Sequence, residues 1–263
     1  GPMLRCVVNL TEPLAMKQAA KADEEIAAGK YRGPLHGIPW GAKDLNSVPG
    51  YPTTWGMPQN RDRIIDEPAT VYRRLEEAGA VLVAKLSMGA IAMGDKWYQG
   101  RTRNPWNPKT GSSGSSAGSA SATVAGLVGF SLGTETLGSI TSPARVCGAC
   151  GFRPTFGRVS RHGCMPLSWT MDKVGPICRS AEDCALVFAV IHGADPLDPT
   201  SEDASFDWPA SLEPRGLKIG YAARSGDQQK ENLKFLESLG FQLVEVQLPS
   251  SVPVRTLANL IDI

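Results

Sequence analysis

Residues 111–144 read GSSGSSAGSASATVAGLVGFSLGTETLGSITSPA, and the reading of this stretch decides the fold. Its Gly/Ser beginning, taken alone, has the composition of a flexible linker. It runs, however, directly into Ala117–Val128, a run of small residues that reads as a tightly packed helix. Gly129–Gly133 then reads as a short strand, and a second Gly-Ser turn, Leu137-Gly138-Ser139, follows. A segment anchored in this way is held at both ends. A serine on a sharp turn after a strand can present its hydroxyl while neighbouring backbone N–H groups converge on one point, the geometry of an oxyanion hole.

Working outward, the same alternation continues. Thr11 can cap a helix over Glu12–Ala28, with Gly29 following as its stop. Gly37–Lys43 (GIPWGAK) is short, apolar and bounded by Gly and Pro, and reads as an extended segment ending in a lysine. Pro68 opens a second helix through Val71, Tyr72 and Leu75, ended by Gly79, and Ala80–Ala84 (AVLVA) reads as a buried strand. Residues 151–180 look irregular. Ser180 with Asp183 begins a helix to about His192, with Gly193 as its stop. Leu217–Tyr221, Gln228–Leu239 and Leu243–Val246 read as strand, helix and strand. Helices alternating with apolar strands make an α/β protein.

A serine hydroxyl is a weak nucleophile and needs a base. His36, His162 and His192 are the only histidines, and none lies in a triad motif. The other base is a lysine, which must be buried enough to lose its proton near neutral pH. Lys43 ends an apolar segment; the alternative is a solvated pair with Asp44. The six cysteines do not suggest a disulfide scaffold in a chain of 263 residues. Cys147 and Cys150 form a C-x-x-C, either a redox pair or half a zinc site, or else two small buried thiols in a Gly-rich turn. A formal net charge of +1 without a basic block gives no electrostatic case for nucleic acid or an anionic membrane. No stretch approaches the roughly 20 apolar residues of a membrane span. No secretory signal is visible, which points to a cytoplasmic protein with reduced thiols.

Gly37-Ile38-Pro39 with Lys43-Asp44, Gly114-Ser115-Ser116-Ala117-Gly118-Ser119-Ala120, Gly133 to Ile140, Pro143-Ala144, Arg153-Pro154-Thr155, Gly157-Arg158-Val159-Ser160 and Asp172-Lys173-Val174-Gly175-Pro176 stand in this order. Together they resemble the amidase signature family, from about residue 14 to 247. The resemblance implies an α/β fold with a central mixed β-sheet flanked by helices. It implies a single domain over 1–263 and a C-terminal part of the family domain lying beyond this chain. An incomplete sheet of that kind would expose an edge that favours association. The resemblance further implies Lys43 as base, Ser115 on a cis peptide as relay and Ser139 as nucleophile. The backbone N–H groups of Thr136, Leu137, Gly138 and Ser139 would form the oxyanion hole. No metal or organic cofactor is implied.

Two departures from the family pattern matter. Leu137 stands where the motif often has Gly, so a left-handed backbone there is disfavoured. Thr141 and Ser142 stand where relatives that bind anionic acyl groups carry an arginine, which points to a neutral or apolar acyl group; Trp40, Trp97 and Trp169 are candidates to line its pocket or to be plain core. The expected partners are a small-molecule amide and either a second copy of the chain or a partner protein in an amidotransferase. Three readings stand: a free amidase, the glutaminase component of a tRNA-dependent amidotransferase, or a non-catalytic interaction module.

Overall fold

The computed structural model describes residues 2–209, 215–222 and 227–247. The elements run β1 (Val7–Leu10), α1 (Glu12–Ala27), β2 (Pro39–Lys43), α2 (Thr70–Glu77), β3 (Val81–Leu86), β4 (Lys96–Trp97), β5 (Gly100–Arg101), α3 (Ala117–Val124), β6 (Phe130–Glu135), α4 (Thr141–Cys147), β7 (Cys150–Gly151), β8 (Lys173–Cys178), α5 (Ala181–Ile191), β9 (Lys218–Tyr221), α6 (Asp227–Ser238) and β10 (Gln242–Glu245). The chain divides into two compact units, Gly1–Phe206 and Asp207–Ile263. In the second, β9 and β10 pair in parallel and α6 connects them.

The first unit is built on a six-stranded mixed sheet in the order β1-β3-β2-β6-β8-β7. Its centre is parallel: β2 pairs with β3 on one side and β6 on the other. These strands are apolar or small nearly throughout and buried almost residue by residue, as strands covered on both faces must be. Trp40, Ala42, Leu82, Phe130 and Leu132 pack against Val71 and Leu75 of α2 and Val187, Phe188 and Ile191 of α5. Trp40 stacks on Phe130 with ring centroids 6.0 Å apart. On the opposite face α3 lies close to the strands, because almost every residue from Ala117 to Thr123 is small and all are buried. Gly118 donates its N–H to Ser87 O at 2.8 Å, Ser119 Oγ donates to Leu132 O at 2.7 Å, and Thr123 Oγ1 lies 2.8 Å from Ser131 Oγ.

Several expectations shift. Thr11 does not cap α1; its hydroxyl donates instead to Leu82 O at 2.6 Å, tying the helix start to β3. The helix expected over Ala117–Val128 ends at Val124, because Gly126 turns left-handed (φ +71) and Leu127 N–H reaches back to Ala122 O. The irregular reading of 151–180 misses β8, whose Pro176 disguises a strand one position from the sheet edge. Helix α4 is unexpected after the Gly-Ser turn. Pro143 sits in its first turn, where an N–H has no intrahelical partner anyway.

Gly118→Ala raises helix propensity but places a Cβ 2.5 Å from Cys6 O and 2.5 Å from Ser87 N. Overpacking should win, with a loss of about 1–3 kcal/mol. A lower urea midpoint at unchanged slope is the expected result.

Candidate active site

Lys43 is the last residue of β2, and its side chain is carried beneath the start of α3 with no exposed surface. Nζ lies 2.8 Å from Ser115 Oγ, 3.0 Å from Ser116 Oγ, 2.7 Å from Thr134 Oγ1 and 3.3 Å from Thr134 O. All four partners are uncharged. Burial therefore lowers the amine to about 7, against the opposing pull of Asp172, the Cys164 thiol and Glu135.

The loop that supplies the two serines depends on the absence of side chains around it. The Gly114–Ser115 peptide is cis, and Ser113 is left-handed at φ 62. A Cβ on Gly114 would lie 1.8 Å from Gly94 O, and one on Gly133 would lie 2.8 Å from Ser116 Oγ. Ser116 N–H donates to Ser139 O at 3.1 Å, which joins this loop to the turn carrying Ser139. Ser139 is half-buried. Leu137 avoids the left-handed region that its Cβ disfavours; the positive φ falls on Gly138, at +102, and Leu137 has half its surface exposed.

Two buried carboxylates close the turn. Glu135 Oε2 accepts from Ile140 N–H and Thr141 N–H, each at 2.8 Å, and from the Thr141 hydroxyl at 3.0 Å, which satisfies the first turn of α4. Asp172 Oδ1 accepts the Thr136 hydroxyl, and its Oδ2 accepts Leu167 N–H at 2.7 Å and Ser168 N–H at 3.0 Å. Lys173 Nζ donates to Thr136 O at 3.1 Å.

Asp44 does not pair with its neighbour Lys43. It faces Lys85 Nζ at 3.3 Å, with both side chains fully buried. Lys85 also donates to Pro52 O and to Thr53 Oγ1. Burial pushes the Asp44 carboxyl up and the Lys85 amine down, and their mutual attraction opposes both shifts.

A cavity of about 270 Å³ opens beside Thr134 and is lined by Arg161, Trp169, Asp172, Lys173 and Leu197 among others. Of the three tryptophans considered for the pocket, only Trp169 borders it, three-quarters exposed; Trp40 and Trp97 are buried elsewhere. The histidines are engaged away from Lys43: His36 lies beside Glu25, His162 beside Glu67, and His192 stacks on Phe188. All six cysteines are free thiols. Burial pushes Cys147 up to about 12 and Cys150 up to about 11. Among the described residues no group of three or more His, Cys, Asp or Glu is placed to hold a metal ion, and no helix is long and apolar enough to cross a membrane.

Sequence reasoning missed Ser116, Thr134, Glu135, Asp172 and Lys85 as contributors. A lysine inside the apolar strand VLVAKL was the available signal for Lys85. Thr134 stood inside the Gly133 to Ile140 motif without a role of its own, because its contact with Lys43 spans 91 residues of chain.

The Amidase family model matches residues 2–260. The chain belongs to the amidase family. A component of the glutamyl-tRNA(Gln) amidotransferase of Carboxydothermus hydrogenoformans is 39% identical over 274 residues, covering 97% of this chain and 56% of that protein. The corresponding protein of Moorella thermoacetica is 43% identical over 223 residues, covering 82% of this chain and 46% of that protein. The chain thus spans about half the length of the curated relatives it matches. Among solved structures, the native peptide amidase from Stenotrophomonas maltophilia superposes with a TM-score of 0.88 at 37% identity, covering 95% of this chain and 55% of that one. The amidase and this chain share the same α/β fold.

Lys85→Met should strand the Asp44 carboxylate and cost about 3–5 kcal/mol. Adding Asp44→Asn should recover most of it. Chemical denaturation of the two variants checks the order.

Proposed function

We propose that this protein hydrolyses carboxylic amides through an acyl-enzyme on Ser139, with Lys43 as base and Ser115 as relay. The observation that carries this reading is the fully buried Lys43 amine, lowered to about 7 and 2.8 Å from Ser115 Oγ. A neutral amine has two N–H bonds and one lone pair. The Ser116 hydroxyl donates to Thr134 O at 3.2 Å and its oxygen accepts Thr134 N–H at 3.1 Å, which leaves one lone pair on Ser116 Oγ to accept from Lys43. With a second N–H directed to Thr134 Oγ1, the lone pair is left for the Ser115 hydroxyl. Ser115 in turn takes the proton of Ser139 as Ser139 attacks the carbonyl. The N–H groups of Thr136 to Ser139 would receive the oxyanion, each donor worth about 3–4 kcal/mol. The relay returns the proton to the leaving amine, and water then releases the acyl group by the reverse path.

Free amide hydrolysis is supported by the likeness to the peptide amidase. Thr141, whose hydroxyl is turned to Glu135, supports a neutral or apolar acyl group rather than an anionic one. A second reading, glutamine hydrolysis within an amidotransferase, is favoured by the curated relatives, which are named as components of such complexes. Under it the macromolecular partner is the rest of that complex. Ammonia release from glutamine compared with peptide and aryl amides separates the two.

Ser139→Ala should abolish turnover with the fold intact, Lys43→Ala should be nearly as damaging, and Ser115→Ala somewhat less; full activity in Lys43→Ala would remove the proposed base. Because the base form of Lys43 is the neutral one, kcat/KM should rise with pH around 7. A profile flat from about pH 5 to 9 would contradict the assignment.

A further inference from the structure

We infer that Asp172 is a positioning residue for this hydrolysis: it fixes, through the Thr136 hydroxyl, the turn that offers N–H groups to the oxyanion. This role rests on the amide hydrolysis proposed above. Asp172 is 8% exposed, and both of its oxygens are engaged. One takes the Thr136 side chain. The other takes two successive backbone N–H groups, Leu167 and Ser168, from the loop that borders the cavity. The adjacent residue, Lys173, holds the carbonyl of the same Thr136. Thr136 is thus gripped at its side chain and at its carbonyl by two consecutive residues where β8 begins.

A turn held at this many points keeps its N–H directions before substrate arrives, which is what oxyanion stabilisation requires. Thr136→Val leaves the size of the side chain but removes its donor.

The test compares Asp172→Asn and Thr136→Val with the unsubstituted chain. Both should lower kcat, by up to ~100-fold for a displaced oxyanion donor, with little change in KM. Thr136→Ser, which keeps the hydroxyl donor, should retain kcat close to that of the unsubstituted chain. A fall in kcat at nearly unchanged KM in Asp172→Asn and Thr136→Val, with Thr136→Ser active, supports the inference, and undiminished kcat in Asp172→Asn or Thr136→Val overturns it. Unsubstituted protein that cleaves no amide, with Ser139 unlabelled by a fluorophosphonate, would overturn the hydrolase reading instead.

Discussion

An ammonium group taken out of water loses most of what stabilises its charge, and the centre of this molecule is arranged around one that has been taken out completely. Lys43 ends a parallel strand flanked by two others and covered by helices on both faces. Such a position is apolar by construction, because parallel strands in a sheet covered on both sides have no solvent face. The residues that meet the amine are two serines and a threonine, which can hydrogen-bond to it without neutralising its charge. A carboxylate in direct contact would have kept it protonated. The nearest such group in sequence, Asp44, is instead turned to Lys85. Two adjacent ionisable residues therefore behave oppositely: one is held in a buried ion pair, the other has no carboxylate in contact and stands near its titration point.

The second constraint is steric. The serines can reach Lys43 only if backbones approach more closely than side chains allow. Gly114 abuts Gly94, Gly118 abuts Cys6 and Ser87, and Gly133 abuts the Ser116 hydroxyl. The small-residue helix α3 is thus the means by which a loop, the central strands and a turn come within hydrogen-bonding range of one nitrogen. The hydroxyls of Ser119, Thr123 and Ser131 satisfy the polar groups this close packing buries.

The turn bearing Ser139 is held from outside itself. Glu135 supplies the cap for α4, and Asp172 with Lys173 holds Thr136. Leu137 is tolerated because the left-handed residue is its neighbour Gly138. Where glycine is lost from one position of such a turn, the conformation survives if the position that needs φ > 0 keeps it.

Much of this was legible in the sequence. Apolar periodicity, Gly and Pro punctuation and capping residues located α1, α2, β3, α5 and the final strand-helix-strand unit to within a few residues, because those signals are local. The ordered Gly-Ser motifs with Lys43 pointed to the loop, the turn and the amine through their resemblance to the amidase signature family. What the sequence did not disclose is long-range. β8 was hidden by Pro176, which reads locally as a break although the strand is paired on both sides, and α4 by a cap contributed from the preceding strand. Whether Lys43 was a solvated lysine or a buried one depended on what covers it. Burial is a property of the assembled layers, and an amine's charge follows its surroundings rather than its neighbours in the chain.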